Sequence, residues 1–264
     1  MSQAPLLERG RYMVRIAETG PDLAAARALR RVCFGPGDAA DDFDSLCQHL
    51  LILDRAGAAA CTFRLRRFDT GAGLAGSYTA GFYDLGCLAT RAGPMIELGR
   101  FCIRPGETDP DILRLAWATL TALVDRAGAA MLLGCASFPG TDPAPFAYGF
   151  ALLAERHLAP PEWRPGRRAA RTVPLAGGGV SGPDASRALP TLLRSYLGMG
   201  GRVSDHAVID EDLGTLHVFM GLEVAAIPPA RARALRAMAE GVEIPAGQGR
   251  GPDTPPLAGG GASA

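Results

Sequence analysis

The stretch from Glu97 to Ile103 carries an acid and a base where a purely structural strand would carry apolar side chains. It reads Glu-Leu-Gly-Arg-Phe-Cys-Ile, so Glu97 and Arg100 lie three residues apart and would face opposite sides of a strand. A buried carboxylate costs free energy unless it is paired or has a function. A carboxylate can also take a proton, directly or through water, from an amine that attacks a thioester. The pattern indicates a general base or an amine anchor at Glu97, or else an ion pair at the end of a strand.

Asp44 and His49 bracket a turn into an earlier apolar stretch. In a functional interpretation, Asp44 holds the ammonium group of an amino acid and His49 assists proton transfer. In a structural interpretation, Asp44 caps a helix and His49 is half-buried. The sequence alone favours the structural interpretation.

Two glycines and a serine stand in strand-like stretches where a ligand could approach. Gly99 and Gly134 lack side chains in mid-strand, which often marks a bulge or a close backbone approach. A pantetheine arm is itself peptide-like and could pair with a strand made accessible there. Ser137, at the end of the second stretch, could donate to the thioester oxygen or to the pantetheine, or could be an ordinary strand-end serine.

The loop from Arg104 to Asp109 lies between a predicted strand and a predicted helix, where backbone N–H groups can bind phosphate. Arg104 is the candidate contact to the acyl donor. The loop contains one glycine and two acids before the helix, which argues against ordinary acetyl-coenzyme A binding. It favours a donor held mainly elsewhere, such as an acyl group on the phosphopantetheine of an acyl carrier protein, with no separate cofactor.

Two groups of arginines are candidate docking patches for such an acidic carrier protein, although solvated surface arginines are an equally good interpretation. They are Arg64, Arg66 and Arg67, and Arg164, Arg167, Arg168 and Arg171.

Composition excludes several classes of function. The 264 residues have a formal net charge of zero, which does not suggest a nucleic-acid binder. The chain contains no lysine, so Schiff-base and Walker-lysine chemistry are impossible. The six cysteines are scattered without a Cys-x-x-Cys pair, which predicts reduced thiols and no metal site.

No apolar run approaches the roughly 20 residues needed to span a bilayer. We therefore expect a cytoplasmic protein that could still work at the surface of the inner membrane.

Apolar periodicity predicts an α/β fold with a mixed central sheet and flanking helices. The unit from Met95 to Phe138 should be a right-handed strand–helix–strand crossover with parallel strands, its helix starting at Asp109-Pro110 and ending at Gly128. The other predicted elements are strands at 12–17, 50–53, 58–68, 203–209 and 216–222, and helices at 21–33, 78–88, 142–157, 189–197 and 231–240.

These elements predict one domain over residues 11–240, preceded by a flexible arm at 1–10. Prolines, glycines and arginines make residues 160–188 an irregular segment within it. Glycine and proline dominate residues 241–264, which predicts a disordered tail.

Four blocks of the chain, in this order, resemble the bacterial L-ornithine Nα-acyltransferases, which belong to the haemolysin-like acyltransferases. The resemblance extends over roughly residues 11–240. The blocks are Asp42-Phe-Asp-Ser-Leu-Cys-Gln-His-Leu-Leu-Ile-Leu-Asp54, Glu97-Leu-Gly-Arg-Phe-Cys-Ile103, Gly134-Cys-Ala-Ser-Phe-Pro-Gly-Thr-Asp142 and Ala207-Val-Ile-Asp-Glu-Asp-Leu-Gly-Thr215.

The resemblance implies an N-acetyltransferase (GNAT) fold and transfer of a 3-hydroxyacyl group from acyl carrier protein to the α-amine of L-ornithine. The product would be lyso-ornithine lipid, at the first step of ornithine-lipid synthesis. The matched blocks contain the candidates Glu97, Arg100, Asp44, His49 and Ser137.

Two departures from the family pattern, and two alternatives, stay open. The loop after Ile103 is poor in basic residues, and His217 stands where the family carries an acid, which puts the substrate in doubt more than the reaction. An acyl-homoserine-lactone synthase or another N-acyl amino acid synthase would share the acyl carrier protein and the Glu-x-x-Arg strand motif. The lactone synthases usually carry tryptophans near the N-terminus, which this chain lacks, because Trp117 and Trp163 both lie late. A non-catalytic module that binds acyl carrier protein is the alternative from a different class.

Overall fold

The computed structural model describes residues 4–35, 38, 41–177, 182 and 185–245. Sixteen helices and strands follow in chain order within these residues: β1 (Leu7–Arg9), β2 (Tyr12–Ile16), α1 (Gly20–Phe34), β3 (Gln48–Asp54), β4 (Ala59–Phe68), β5 (Tyr83–Asp84), β6 (Met95–Ile103), α2 (Pro110–Ala127), β7 (Met131–Pro139), α3 (Ala147–Arg156), β8 (Gly166–Arg167), β9 (Thr172–Pro174), α4 (Thr191–Leu197), β10 (Arg202–Asp210), β11 (Thr215–Glu223) and α5 (Pro229–Ala239).

Nine strands form one mixed sheet in the order β1-β2-β3-β4-β6-β7-β11-β10-β9. β6 and β7 are parallel, whereas each other neighbouring pair in this sheet is antiparallel. The predicted mixed sheet and the parallel strands on either side of α2 are therefore confirmed.

The ends of α2 follow from its sequence. The Asp109 side chain accepts a hydrogen bond from the Asp111 backbone nitrogen, Pro110 occupies the first turn, and Gly128 ends the helix at φ 59°. The buried face of α2, which includes Leu115, Leu120 and Leu123, packs into the main core of the sheet. The helix thereby covers one face of the sheet beside β6 and β7. In the described parts of the chain, no helix is both long enough and apolar enough to cross a bilayer.

The boundaries predicted for the domain need correction at both ends. Within the predicted arm, Leu7–Arg9 is an edge strand that pairs with β2, and Leu6 is buried. At the other end, the Glu243 backbone nitrogen donates to the Leu6 carbonyl oxygen at 2.8 Å, and Ile244 packs against the core. This bond ties residue 243, predicted to be disordered, to the N-terminal strand. Residues 246–264 of the predicted tail lie outside the described residues.

Two internal segments also differ from their predictions. Residues 78–88 form 3-10 turns and β5 instead of the predicted helix. The segment 160–188, predicted to be irregular, contributes two short strands. β8 pairs with β5, and β9 is the edge strand of the main sheet beside β10. Both short strands obtain their backbone partners from distant parts of the chain, so local periodicity does not reveal them.

Candidate active site

The parallel strands β6 and β7 separate part of the way along their length. Their register runs from Met95 opposite Met131 to Leu98 opposite Gly134, although β6 continues to Ile103 and β7 to Pro139. On their outer sides, β6 pairs with β4 and β7 pairs with β11 across this region. Each strand thus keeps its outer partner where the register between β6 and β7 has ended.

A cavity of about 290 Å³ opens between the diverging strands, and we call it the interstrand cavity. Residues 98–103 of β6 and 134–137 of β7 line two of its walls, and α4 lines another. Its lining is largely apolar, with polar side chains at a few positions: Tyr78, Arg100, Ser137, Tyr196, Asp210 and His217.

Gly134 stands where the strands meet. A β-carbon at this residue would lie 2.2 Å from the Leu98 carbonyl oxygen, which excludes any side chain there. The absent side chain therefore serves the close approach of β6 and β7. Gly134 also lines the interstrand cavity, so a contact with the acyl donor at Gly134 stays a prediction.

A bulge in β6 forms the opposite wall. Arg100 and Phe101 together oppose Phe63 of β4, and Arg100 adopts the left-handed conformation at φ 51°. Left-handed backbone is costly for a non-glycine residue and persists only where the surroundings enforce it. Gly99 precedes the bulge and lines the cavity, and a β-carbon there would lie 3.4 Å from Arg64 Nε. The bulge takes backbone groups of β6 out of register with β4.

Glu97 is buried, and both of its carboxylate oxygens accept hydrogen bonds from backbone nitrogens. Oε1 accepts from Thr79 at 2.7 Å, and Oε2 accepts from Tyr78 at 3.1 Å. Glu97 itself does not line the interstrand cavity. This geometry favours a role in holding the turn that carries Tyr78 over a role as the base that meets the amine.

Arg100 lines the cavity and belongs to a buried ion network with the acids that precede β3. Its Nε donates to Asp38 at 2.8 Å, and its Nη2 donates to Asp41 at 3.2 Å. The guanidinium also lies 4.7 Å from the centroid of the Tyr78 ring, within the range of a cation–π contact. Two carboxylates thus fix Arg100 against the ring of Tyr78.

Asp44 lies at the centre of this network. Its Oδ1 accepts from Arg30 at 2.6 Å and from Arg64 at 2.5 Å, and its Oδ2 lies 3.4 Å from Arg27 Nε. Burial acts to raise the pKa of Asp44, but the bonds from Arg30 and Arg64 outweigh burial and hold it below its usual value. The oxygens of Asp44 are engaged with arginines, which favours a structural role over capture of a substrate ammonium. That role is a place in the ion network and not the predicted helix cap, because the 3-10 turn that begins at Asp44 has no side-chain cap.

His49 is buried on β3 and does not line the cavity. Its Nε2 lies 2.9 Å from the Asp44 carbonyl oxygen, and burial lowers the pKa of the imidazole. A neutral ring that donates to a backbone carbonyl is a structural arrangement. The catalytic role predicted for His49 therefore has no support from its position.

Arg104 and Arg64 engage carboxylates of the chain itself. Arg104 Nη2 donates to Asp54 at 2.9 Å and to Glu107 at 2.6 Å, and Arg104 does not line the cavity. The predicted contact between Arg104 and the donor thus gains no support. The docking prediction is wrong for Arg64, because its side chain is only 3% exposed and is bound to Asp41 and Asp44.

Ser137, a site residue predicted from the sequence, lines the interstrand cavity, and a second polar residue lies opposite it on the neighbouring strand. Its register partner on β11 is His217, which also lines the cavity. Directly opposed residues of antiparallel strands put their side chains on the same face, within roughly 5 Å at the β-carbons. Ser137 and His217 are therefore neighbours on one wall.

His217 is a further functional candidate. In the sequence it stands out only as a departure from the family pattern, with no role assigned to it. Burial, with a smaller contribution from the positive charge of Arg100, lowers its pKa to about 3, so the ring is neutral at physiological pH. Tyr83 Oη donates to the His217 carbonyl oxygen at 2.9 Å and lies 3.3 Å from its Nδ1. Because the hydroxyl proton is used on the carbonyl, the Tyr83 oxygen can only accept from the ring, which favours the tautomer with the proton on Nδ1 and the lone pair on Nε2. Nε2 has no hydrogen-bond partner within the residues that the structure describes.

Asp210 and Tyr78 are the other cavity residues that the sequence did not single out. Asp210 is buried at the end of β10, and its Oδ1 accepts from the Leu213 backbone nitrogen at 3.0 Å. Burial raises the pKa of Tyr78 to about 12, so its hydroxyl stays protonated. The only sequence signal for Asp210 was its place in the last of the four blocks.

The thiols at the cavity are poor nucleophiles. Cys102 and Cys135 both line it, and both thiols have a raised pKa. At Cys102 the causes are a hydrogen bond with the Cys33 thiol and burial, and at Cys135 the cause is burial. A protonated thiol is a weak nucleophile compared with the thiolate. Neither thiol is therefore a candidate to form a covalent intermediate.

Comparisons with known proteins place the chain in a family. The family model described as an acetyltransferase (GNAT) domain matches residues 11–118. The L-ornithine N(alpha)-acyltransferase of Rhodobacter capsulatus is 30% identical over 86% of this chain and 94% of that protein. The protein of the same name from Brucella abortus is 31% identical over 83% of this chain and 86% of its own length. The solved structure of FeeM, an N-acyl amino acid synthase from uncultured soil microbes, is 11% identical, with a TM-score of 0.49 over 87% of this chain and 97% of that one.

The fold and the matched domain define an acyltransferase of the GNAT class, which transfers an acyl group to an amine. Within that class, the chain belongs to the L-ornithine Nα-acyltransferase family. The predicted GNAT fold and the resemblance to this family are confirmed.

Proposed function

We propose that this protein transfers a 3-hydroxyacyl group from the phosphopantetheine of acyl carrier protein to the α-amine of L-ornithine. The product is lyso-ornithine lipid, and the reaction is the first step of ornithine-lipid synthesis. The observation that carries the proposal is the cavity between the diverging strands β6 and β7, with polar side chains on both of its walls. The names of the relatives support ornithine as the acceptor.

The diverging strands suit a donor with a peptide-like arm. Beyond Leu98 and Gly134, the facing edges of β6 and β7 no longer pair with each other. An extended pantetheine can therefore pair with these edges. The bulge at Arg100 and Phe101 supplies backbone groups outside the register with β4. N–H groups there are candidates to stabilise the oxyanion that forms on the thioester carbonyl.

The polar wall suits an amine acceptor. Asp210 is a candidate to hold an ammonium group of ornithine. The lone pair of His217 Nε2 can accept an N–H of the neutral α-amine and thereby direct the lone pair of the nitrogen at the thioester. The amine nitrogen attacks the thioester carbonyl carbon, and the tetrahedral intermediate collapses with cleavage of the C–S bond. The proton that the nitrogen gives up ends on the pantetheine sulfur, which leaves as the thiol. The hydroxyl of Tyr78 is a candidate donor of a hydrogen bond to the leaving sulfur.

An exposed basic segment borders the site and suits an acidic carrier protein. Arg167, Arg168 and Arg171 are all exposed. Arg168 Nη1 donates to the Ala80 carbonyl oxygen at 2.7 Å, next to the turn that carries Tyr78. The Arg171 carbonyl oxygen accepts from the backbone nitrogen of Ile209, the residue before Asp210. Because the product is a lipid, we expect the protein to work at the surface of the inner membrane.

The test uses purified protein, 3-hydroxyacyl carrier protein and ornithine, with thiol release and mass spectrometry as readouts. The proposal predicts stoichiometric carrier thiol and Nα-acyl ornithine. Lysine, glutamine, glycine and S-adenosylmethionine are offered in parallel. A product from S-adenosylmethionine would identify a lactone synthase, and binding of the carrier protein without thiol release would identify a non-catalytic module. An Arg167→Glu variant, compared with Arg233→Glu on α5, separates docking from general charge effects through KM for the carrier protein.

A further inference from the structure

The hydroxyl of Tyr196 is a buried polar group that the protein does not satisfy. Tyr196 lies on α4, is 1% exposed, and lines the interstrand cavity. Its Oη has no hydrogen-bond partner in the described part of the chain. Leaving a buried hydroxyl unpaired is unfavourable, and the same site could hold a phenylalanine without that cost. A group that persists in this state is a candidate for recognition of a ligand.

The surroundings of the ring keep it in place. The Tyr196 ring meets Trp117 of α2 edge to face, with centroids 4.9 Å apart at an angle of 78°. The Tyr196 carbonyl oxygen accepts from the backbone nitrogens of Met199 and Gly201, both at 2.9 Å. With the backbone and the ring both held, the position of the hydroxyl is preorganised.

Six buried side-chain atoms in the described residues lack partners, and two of them belong to residues that line the interstrand cavity. These are His217 Nε2, on the residue that is the register partner of Ser137, and Tyr196 Oη, on the helix that also brings Leu192 and Leu193 to the cavity. An amine suits the imidazole, whereas the apolar wall of α4 suits a hydrocarbon chain. An unpaired hydroxyl on a residue of that largely apolar wall fits a chain that carries one oxygen of its own.

We propose that the Tyr196 hydroxyl hydrogen-bonds a hydroxyl group near the thioester end of the acyl chain and so sets the preference of the enzyme for hydroxylated donors. The inference rests on the proposed function, because it concerns the donor of that same reaction. The phenol can both donate to and accept from an alcohol. Burial raises the pKa of Tyr196, which keeps the proton on the phenol. An unsubstituted chain would leave the phenol unpaired, and a site built to bind a hydroxyl rejects the analogue without it.

The test compares Tyr196→Phe with the wild type on two carrier-bound donors of equal length, one with a 3-hydroxyl and one without. We expect the wild type to prefer the 3-hydroxy donor about tenfold or more in kcat/KM. The variant should lose this preference, with little change on the unsubstituted donor. Tyr148→Phe, at a tyrosine that is 63% exposed on α3, is the matched control and should keep the preference.

The outcomes separate the inference from the proposed function. Transfer from both donors without a wild-type preference, or a preference that Tyr196→Phe retains, would overturn the role of Tyr196 and leave the proposed function standing. No transfer from either donor by the wild type would overturn both. Thermal unfolding of each variant shows whether a loss of activity reflects folding, and the loss of one unpaired hydroxyl should not lower the stability of Tyr196→Phe.

Discussion

The carbonyl oxygen of Leu98 occupies the space next to Gly134, 2.2 Å from where a β-carbon would lie. The two residues are the last registered pair of β6 and β7, so their close approach sets the point where the interstrand cavity begins. The contact is between backbones, and a side-chain rotation cannot relieve it.

Gly134→Ala should therefore both destabilise the protein and damage the site. We expect a loss of about 2 kcal/mol or more in the free energy of unfolding, at the upper part of the range for overpacked cores, and a fall in kcat/KM of at least tenfold. Chemical denaturation and the acyl-transfer assay measure the two effects. Gly81→Ala is the control, because a β-carbon added at Gly81 would have no other atom within 4 Å. Equal stability of the two variants would contradict the role of Gly134.

Glu97→Gln should act through position and not through proton transfer. The amide can accept only one of the two backbone N–H groups that Glu97 now satisfies, so the turn carrying Tyr78 should loosen. We expect a loss of about 1–3 kcal/mol in stability and a reduced kcat, with a pH–rate profile of unchanged shape. Removal of a general base would instead cost about 10²–10⁴ in rate and alter the profile. That second result would restore Glu97 as the base.

His217→Phe should lose affinity for the amine while the fold is retained. The apolar ring removes the unpaired Nε2, and the buried Tyr83 hydroxyl loses its contact with Nδ1 but keeps its bond to the backbone carbonyl oxygen of residue 217. Stability should therefore change by less than about 1 kcal/mol. We expect kcat/KM for ornithine to fall about tenfold or more at a saturating donor concentration. His157→Phe, at the half-buried residue that ends α3, is the control and should keep wild-type kinetics. Wild-type kinetics in His217→Phe would show that the imidazole does not meet the acceptor.

The pH dependence of the wild type should lack an imidazole step. Burial lowers the pKa of His217 to about 3, and it also lowers the pKa of His49. Both rings are therefore already neutral at pH values where a free imidazole, with a pKa of about 6.5, would titrate. The rate should rise with pH as the ammonium group of the acceptor loses its proton. An inflexion near pH 6.5 that disappears in His217→Phe would contradict this interpretation.

Asp44→Asn should reveal the buried ion network as a determinant of stability. Removal of the charge leaves Arg30 and Arg64 without their shared partner, at a cost of about 3 kcal/mol. Asp69→Asn is the control, since the Arg67–Asp69 pair is a surface contact worth less than about 1 kcal/mol.

The network also predicts an acid transition. Burial alone would raise the pKa of Asp41 and of Asp44, but their arginine partners hold both below the usual value. A carboxyl whose pKa is depressed on folding stabilises the protein fully above its unfolded pKa of about 3.9, and this stabilisation is lost as the pH falls through the folded pKa. The wild type should lose stability below pH 4, and Asp44→Asn should lose less. Equal acid sensitivity in both proteins would contradict the network.

The sequence predicted the elements whose ends are marked by local residue patterns. The bounds of β6 follow from its apolar run, and α2 begins and ends where Asp109, Pro110 and Gly128 indicate. Glu97 was found because a charge in an apolar strand is unusual. Its partners, the backbone nitrogens of Tyr78 and Thr79, lie 19 and 18 residues earlier in the chain, so no local pattern encodes the contact.

Other parts of the site depend on the neighbour order of the sheet. His217 faces Ser137 only because β11 lies beside β7, and the 80 positions of sequence that separate them hide that relationship. Arg64 alternates with apolar residues on β4 like a surface residue, yet the acids before β3 fold over it. The charges of Asp41 and Asp44 were visible, whereas their burial with Arg30 and Arg64 was not.

The most direct test of the central claim is mass spectrometry of lipids from a bacterial host that makes no ornithine lipid and that expresses this chain. We predict a new lipid in which a 3-hydroxyacyl group is joined by an amide to the α-nitrogen of ornithine, and its strong reduction in cells that express Gly134→Ala. A new N-acyl lipid built on another amino acid, or no amide-linked lipid despite folded protein and supplied ornithine, would contradict the proposed reaction.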